Sequence, residues 1–271
     1  MSRIATMFDG LRKRNKKAMI PFITAGDPEL AATVPMMLDL VGSGADLIEL
    51  GVPFSDPMAD GPVIQQAGER ALAQGTGLTD VLHIVQTFRQ HDQQTPVILM
   101  GYLNPLETMG YAGFAQQAEA CGVDGVLIVD LPPEEAASSL HPLLKSHGLD
   151  QIFLFSPTTT DSRMELISRY ASGFVYCVAV KGVTGAGARQ IDTQSVEDKI
   201  IQMQQHTKLP IAAGFAIGDA TVAKAVGGFC DAIVIGSALI EQINNAVERG
   251  RDVSAEIKSF LSPVRAALDQ L

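Results

Sequence analysis

Leu47-Ile48-Glu49-Leu50-Gly51-Val52-Pro53-Phe54-Ser55-Asp56-Pro57-Met58-Ala59-Asp60-Gly61-Pro62 is an apolar run interrupted by one carboxylate, followed by a loop that delivers a second. Residues 46–51 read as a buried strand, because apolar side chains surround a single charge and a turn signal follows at once. Pro53, Pro57 and Pro62 stiffen the loop, so it is no flexible linker. A lone glutamate in a buried strand is costly unless it has a partner or a task. Glu49 and Asp60 are therefore the first candidates for chemistry.

Short β-type runs recur on both sides of this stretch, at 18–24, 97–102, 125–130, 151–156, 174–180, 211–215 and 232–236. Helical patterns separate them at 29–41, 78–91, 111–121, 134–146, 162–171, 195–205 and 220–226, and two more close the chain at 239–249 and 253–271. Alternation of buried strands with helices implies a parallel sheet with helical crossovers. Eight such units in 271 residues fit a single (β/α)8 TIM barrel of α/β class over 1–271. An extra N-terminal helix and long loops after the second and sixth strands complete the expectation. An open doubly wound sheet is the alternative, but no GxGxxG follows the first strand.

Composition narrows the function classes. A formal charge of -10 and a pI near 4.9 argue against a nucleic-acid surface. Arg12, Lys13, Arg14, Lys16 and Lys17 form the one basic run. They follow Ile4, Met7, Phe8 and Leu11 at helical spacing, which reads as a short amphipathic helix with a solvated end rather than a lipid anchor. Cys121, Cys177 and Cys230 are scattered and odd in number, as expected of reduced thiols in a cytoplasmic protein. No signal peptide and no membrane-length apolar stretch is expected.

In a barrel, strand residues alternate between interior and helical layer, and the active site lies at the strands' C-terminal ends. Turning Glu49 inward turns Leu47 inward and sends Ile48 and Leu50 toward the helices. Phe22, Met100, Tyr102, Leu127, Val129, Tyr176 and Phe215 then face the mouth, an apolar and aromatic pocket suited to a flat ring. Glu49 among them would carry a raised pKa and exchange a proton near neutrality, unless an Arg or Tyr pairs with it. Asp60 above it could accept a hydrogen bond from a ring N–H, or be an ordinary turn residue. Asp27 before Pro28 reads most simply as an N-cap. Gly214-Phe215-Ala216 and Gly236-Ser237 end strands seven and eight, where barrels often bind phosphate through backbone N–H groups. The five histidines lie in helices or at their ends, so a histidine metal site is not expected. Residues 181–189 are glycine-rich and read as a lid. Lys181 within them is the rival centre, since a lysine there could form a Schiff base in an aldolase.

The segments Glu49 to Pro62, Pro21 to Pro28, Met100 to Pro105, Gly182-Val183-Thr184-Gly185, Gly214-Phe215 and Gly236-Ser237 together resemble the tryptophan synthase α subunit family across the whole chain. The resemblance implies cofactor-free retro-aldol cleavage of indole-3-glycerol phosphate to indole and glyceraldehyde 3-phosphate. It implies Glu49 as acid and base and Asp60 as stabiliser of the charged ring nitrogen. Phe22, Met100, Tyr102, Leu127, Tyr176, Thr184 and Phe215 would bind substrate, and Gly185, Phe215, Ala216, Gly236 and Ser237 its phosphate. It further implies a β subunit as partner in an α2β2 tetramer, with pyridoxal phosphate held only there. Pro53, Asp56, Asn104 and Asp130-Leu131-Pro132-Pro133 would belong to that interface. Two positions depart from the family pattern: Ala216 stands where a second glycine is expected, and Val180-Lys181 where an arginine and a small residue are. A Schiff-base aldolase using Lys181 and a non-catalytic barrel that activates a partner stay open as alternatives.

Overall fold

Each strand of the barrel is short and apolar on both faces, because one face meets the interior and the other the helices. The computed structural model describes residues 2–178, 193–214 and 217–271. Strands β1 (Ala18–Thr24), β2 (Ile48–Gly51), β3 (Val97–Gly101), β4 (Gly125–Ile128), β5 (Asp150–Phe155), β6 (Val175–Val178), β7 (Ile211–Gly214) and β8 (Ala232–Ile235) pair in sequence order. Every pairing is parallel, and β8 returns to β1, which closes the barrel.

Register separates two cores. Phe22, Glu49 and Ile98 are successive partners across β1, β2 and β3, so their side chains leave the same face. Ile98 packs inside with Leu47, Leu127, Ile152, Ala212 and Val234, while Ile48 and Leu50 pack outward against the helices. The expected alternation around Glu49 is what the register delivers.

The N-terminal helix, Arg3–Lys13, does more than carry a solvated basic end. Ser2 caps it by accepting from the Ala5 N–H at 3.2 Å. Its buried Ile4, Phe8 and Leu11 join the barrel interior, and Phe8 meets Phe174 with ring centroids 5.9 Å apart. The apolar stripe therefore stoppers the lower end of the barrel.

Three local expectations are corrected. The helical pattern at 134–146 is two helices, Pro133–Ser138 and Leu140–Ser146, broken at Ser139. Pro142 has no N–H to give the carbonyl of Ser138, so one continuous ladder cannot form. A helix at Leu103–Met109, for which no helical pattern was expected, gains a remote cap: the Asp130 carboxylate accepts from the Leu103 N–H at 2.8 Å. Asp27 is not an N-cap. Its buried carboxylate accepts two hydrogen bonds from Arg70, at 2.7 and 2.9 Å, and the following helix starts at Leu30. That fork ties the loop after β1 to the Pro62–Ala73 helix, which begins directly behind Asp60.

At the opposite end, Asp124 is a buried hub. It accepts from Arg89 at 2.7 Å, Arg3 at 2.9 Å and the Val97 N–H at 2.8 Å. Arg89 also donates to the carbonyls of Gly122 and Thr95. Removing one partner of such a buried pair leaves the other charge uncompensated. Asp124→Ala is expected to cost about 3–5 kcal/mol of stability. Urea unfolding checks this, and a loss no larger than that of an exposed ion pair would contradict the hub.

Candidate active site

The site is built where β1, β2 and β3 end beneath the loop that follows β2. Glu49 is 1% exposed, and its Oε1 has no hydrogen-bond partner among the described residues. The pairing with Arg or Tyr that would make it a structural glutamate is absent at that oxygen. Burial, and after it the charge of Asp60, pushes the Glu49 carboxyl up to about 8. Tyr176 lies close enough that Glu49 contributes to raising its hydroxyl, second to burial.

Asp60 hangs from a loop fixed at several points. Its own N–H donates to the Pro57 carbonyl at 3.1 Å, and the Gln65 amide donates to the Asp60 carbonyl at 2.9 Å. Pro62 opens the next helix with Gly61 at the cap, so no side chain competes for the helix N-terminus above the carboxylate. Burial raises the Asp60 carboxyl to about 6, and the Tyr102 hydroxyl nearby holds it below what burial alone would give. Two acids one loop apart are thus pushed to different values. At neutral pH, Glu49 holds its proton and Asp60 is ionised, the split expected of a proton donor beside a charge stabiliser.

A cleft of about 360 Å³, counted out to solvent, opens over Asp60 with Phe22, Phe54, Ile64, Met100 and Tyr102 in its walls. Phe54 stacks on Tyr102 with centroids 5.3 Å apart. Leu127 is fully buried in the barrel interior beside Met100, its β3 register partner. Tyr176 reaches over β7, where a Cβ on Gly214 would collide with its ring. On the β8 side, Gly236 passes close to Phe22, and Ser237, exposed, opens the Ser237–Glu248 helix. The Leu239 and Ile240 N–H groups donate to the Gly236 carbonyl, which leaves those of Ser237 and Ala238 as the ones outside the helix's own ladder.

The structure thus brings Glu49, Asp60, Phe22, Met100, Tyr102, Leu127, Tyr176, Gly236 and Ser237 to one end of the barrel. Thr184, Gly185, Phe215, Ala216 and Lys181 lie outside the described residues. Ile64, Phe54 and Thr24 escaped the sequence reading. Thr24 lines the cleft with a buried hydroxyl that has no partner among the described residues. Its place two residues after Phe22 on an inward-facing strand was a usable signal. Among the described residues no group of three or more His, Cys, Asp or Glu side chains gathers as a metal site, and no helix is long and apolar enough to cross a membrane.

The model of the family described as tryptophan synthase alpha chain matches residues 8–269. The chain belongs to that family. It is 54% identical over 269 residues to the tryptophan synthase alpha chain of Cupriavidus taiwanensis, covering 99% of this chain and all of that one. It is 51% identical to that of Nitrosococcus oceani, covering 99% and 98%. The solved tryptophan synthase subunit alpha of Legionella pneumophila superposes with a TM-score of 0.94 at 44% identity, with both chains fully covered. A chain of Mycobacterium tuberculosis tryptophan synthase gives 0.87 at 29% identity, with 99% of each covered. Full-length membership places the β2 loop and its two carboxyls in an enzyme family rather than a binding-only barrel.

Stability should report the state of Glu49 directly. Its folded pKa, about 8, lies above the ordinary 4.5, so the native state keeps a proton that the unfolded chain releases. That contribution is complete below the ordinary value and is lost as pH rises through about 8. Glu49→Gln removes it, so the variant should gain on the parent between about pH 5 and pH 8, at about 1.4 kcal/mol per pH unit at most. Parallel urea curves across this range would contradict the buried, protonated Glu49.

Proposed function

We infer that this chain cleaves indole-3-glycerol phosphate to indole and glyceraldehyde 3-phosphate. The observation that carries the reading is a buried Glu49, whose Oε1 has no hydrogen-bond partner among the described residues, close to Asp60 of the loop that follows β2 in a barrel of this family.

The carbon–carbon bond breaks only when the ring can take its electrons. Glu49 gives its proton to C3 of the indole, which leaves the ring nitrogen positively charged. The Asp60 carboxylate faces that N–H and lowers the energy of the cation in a site shielded from water. The Glu49 carboxylate then accepts the proton of the side-chain hydroxyl as the oxygen becomes a carbonyl. The bond to C3 breaks, its electron pair restores the aromatic ring, and the nitrogen returns to neutral. Protons balance on one carboxyl, so no cofactor is required. Phe22, Met100, Leu127 and Tyr176 pack the ring, joined by Phe215 and Thr184 in this reading. Gly236 and Ser237, with Gly185, Phe215 and Ala216, receive the phosphate on backbone N–H groups and a helix N-terminus. Glycine and a small serine suit that task because the backbone must approach the anion closely.

The indole passes to a β subunit, which alone carries pyridoxal phosphate. Exposed Asp56, Asn104 and Asp130 share one rim of the barrel with Met58, which is 84% exposed, and they support docking there. Pro53, Leu131 and Pro133 are buried within this chain and would shape that rim from beneath. The whole chain acts as one barrel domain in a reducing, cytoplasmic setting, consistent with its free Cys121, Cys177 and Cys230.

Indole release from indole-3-glycerol phosphate, with and without a β subunit, tests the reading. Glu49→Gln should lower the rate about 10²–10⁴-fold, since the proton-transfer group is gone. A loss below tenfold would assign protonation to another residue. Asp60→Asn should also slow cleavage strongly, because an amide does not compensate a cationic ring nitrogen. An unchanged rate for Asp60→Asn would remove that residue from the mechanism.

A further inference from the structure

The direction in which the Asp60 side chain leaves its loop is set by the two peptide planes that meet at its Cα. On the N-terminal side, the Asp60 N–H donates to the Pro57 carbonyl at 3.1 Å, and the Ala59 N–H donates to the Tyr102 hydroxyl at 3.0 Å. On the C-terminal side stands Gly61, which gives least resistance to a peptide rotation because it has no Cβ. Within the loop, Pro57 has no N–H to offer, and the Met58 N–H donates back to the Asp56 carbonyl at 2.9 Å. The C-terminal plane is held by Gln65, in the first turns of the following helix. Its amide nitrogen donates to the Asp60 carbonyl at 2.9 Å and to the Pro57 carbonyl at 3.3 Å. Both partners are acceptors only, so the amide must turn its NH2 group toward them.

We propose that Gln65 is a positioning residue, whose amide locks the peptide between Asp60 and Gly61 and thereby aims the Asp60 carboxylate. The inference deepens the reading of Asp60 given above and rests on it. The helix that carries Gln65, Pro62–Ala73, is itself anchored at its other end. Arg70 forks onto Asp27 at 2.7 and 2.9 Å, and the Gln74 amide donates to the Pro28 carbonyl at 2.6 Å. The helix is therefore a bracket. Its far end is tied to the loop after β1, and Gln65 near its start grips the turn that bears Asp60. Backbone hydrogen bonds along every turn keep a helix stiff, so the anchor at Arg70 is felt at Gln65. Gln65 also lines the cleft with Asp60, Ile64 and Phe22. Its bonds go to backbone carbonyls and not to the carboxylate, so it acts on direction and not on charge. A reacting group misplaced by about 1 Å loses about 10²-fold in rate, which makes that direction worth holding.

Gln65→Met keeps the length and helix propensity of the side chain and deletes both donors. In the free protein, amide hydrogen exchange followed by NMR should quicken about fivefold or more at Asp60, the worth of one net hydrogen bond. The amides of β2 and β3 should keep the parent rates. In turnover of indole-3-glycerol phosphate, kcat should fall about tenfold to a hundredfold with KM changed little, as when a group acting in the transition state is misplaced. At pH 8, Gln65→Glu, alike in shape but without a donor, should lose at least as much. Gln65→Met should add little in an Asp60→Asn background, where the carboxylate it aims is already gone. Unchanged exchange at Asp60 overturns the proposal, and so does a kcat that holds. Equal acceleration at the β2 and β3 amides overturns it as well, since Gln65 would then serve global stability alone. A Gln65→Glu variant with the parental kcat would assign the effect to shape and reject the hydrogen bonds. A parent protein that fails to cleave the substrate would sink the functional reading, while the exchange rates still decide whether Gln65 holds the loop.

Discussion

The burial of one carboxyl, whose Oε1 has no hydrogen-bond partner among the described residues, is the constraint around which this barrel is arranged. An ionised Glu49 in that position would be expensive, so the group keeps its proton, and the nearby Asp60 charge reinforces the preference. Asp60 is raised less, to about 6, with the Tyr102 hydroxyl nearby offsetting part of the effect of burial. Both acids are raised by burial, Glu49 to about 8 and Asp60 to about 6, so near neutrality they favour opposite protonation states. In the proposed reaction these two states are the two tools needed, a proton for ring carbon and a fixed negative charge for ring nitrogen.

Rigidity is supplied from outside the cleft. The Arg70–Asp27 fork joins the helix behind Asp60 to the loop after β1, and the Gln65 amide closes the turn that contains Asp60. At the far end, Asp124 with Arg89 and Arg3, and Asp46 with Arg265 and the Met19 N–H, staple strands to helices. Among the described residues, the Asp124 and Asp46 ion pairs lie at the end of the barrel away from Glu49. A cation brought near that carboxyl would ionise it and remove the donor.

The family relationship and the site geometry bear on different questions. Matches over nearly the full length fix the family and the fold. The roles of individual residues rest on burial, register and hydrogen bonding in this chain. Exposed Met58 on the β2 loop sits a few residues from Asp60, so the surface proposed for the β subunit and the carboxylate proposed for catalysis share one short segment. Docking and chemistry are therefore mechanically adjacent, connected by the same prolines that stiffen the loop.

The sequence by itself determined the strand–helix alternation, the inward parity of Leu47 and Glu49, and the pairing of a strand carboxylate with a loop carboxylate. Those are local or periodic facts, set by side-chain alternation and turn chemistry. It did not reveal that Asp27 answers to Arg70, that Asp130 caps the Leu103–Met109 helix, or that the N-terminal helix plugs the barrel. Each of these joins segments far apart in the chain, and no local pattern encodes a partner tens of residues away. The same is true of Tyr102: its aromatic ring was legible as pocket lining, but the hydrogen bond its hydroxyl accepts from the Ala59 N–H exists only once folding brings the two segments together. Sequence named the candidate carboxyls, and tertiary structure set the burial and proximity that raise their pKa values, because those are properties of the folded chain alone.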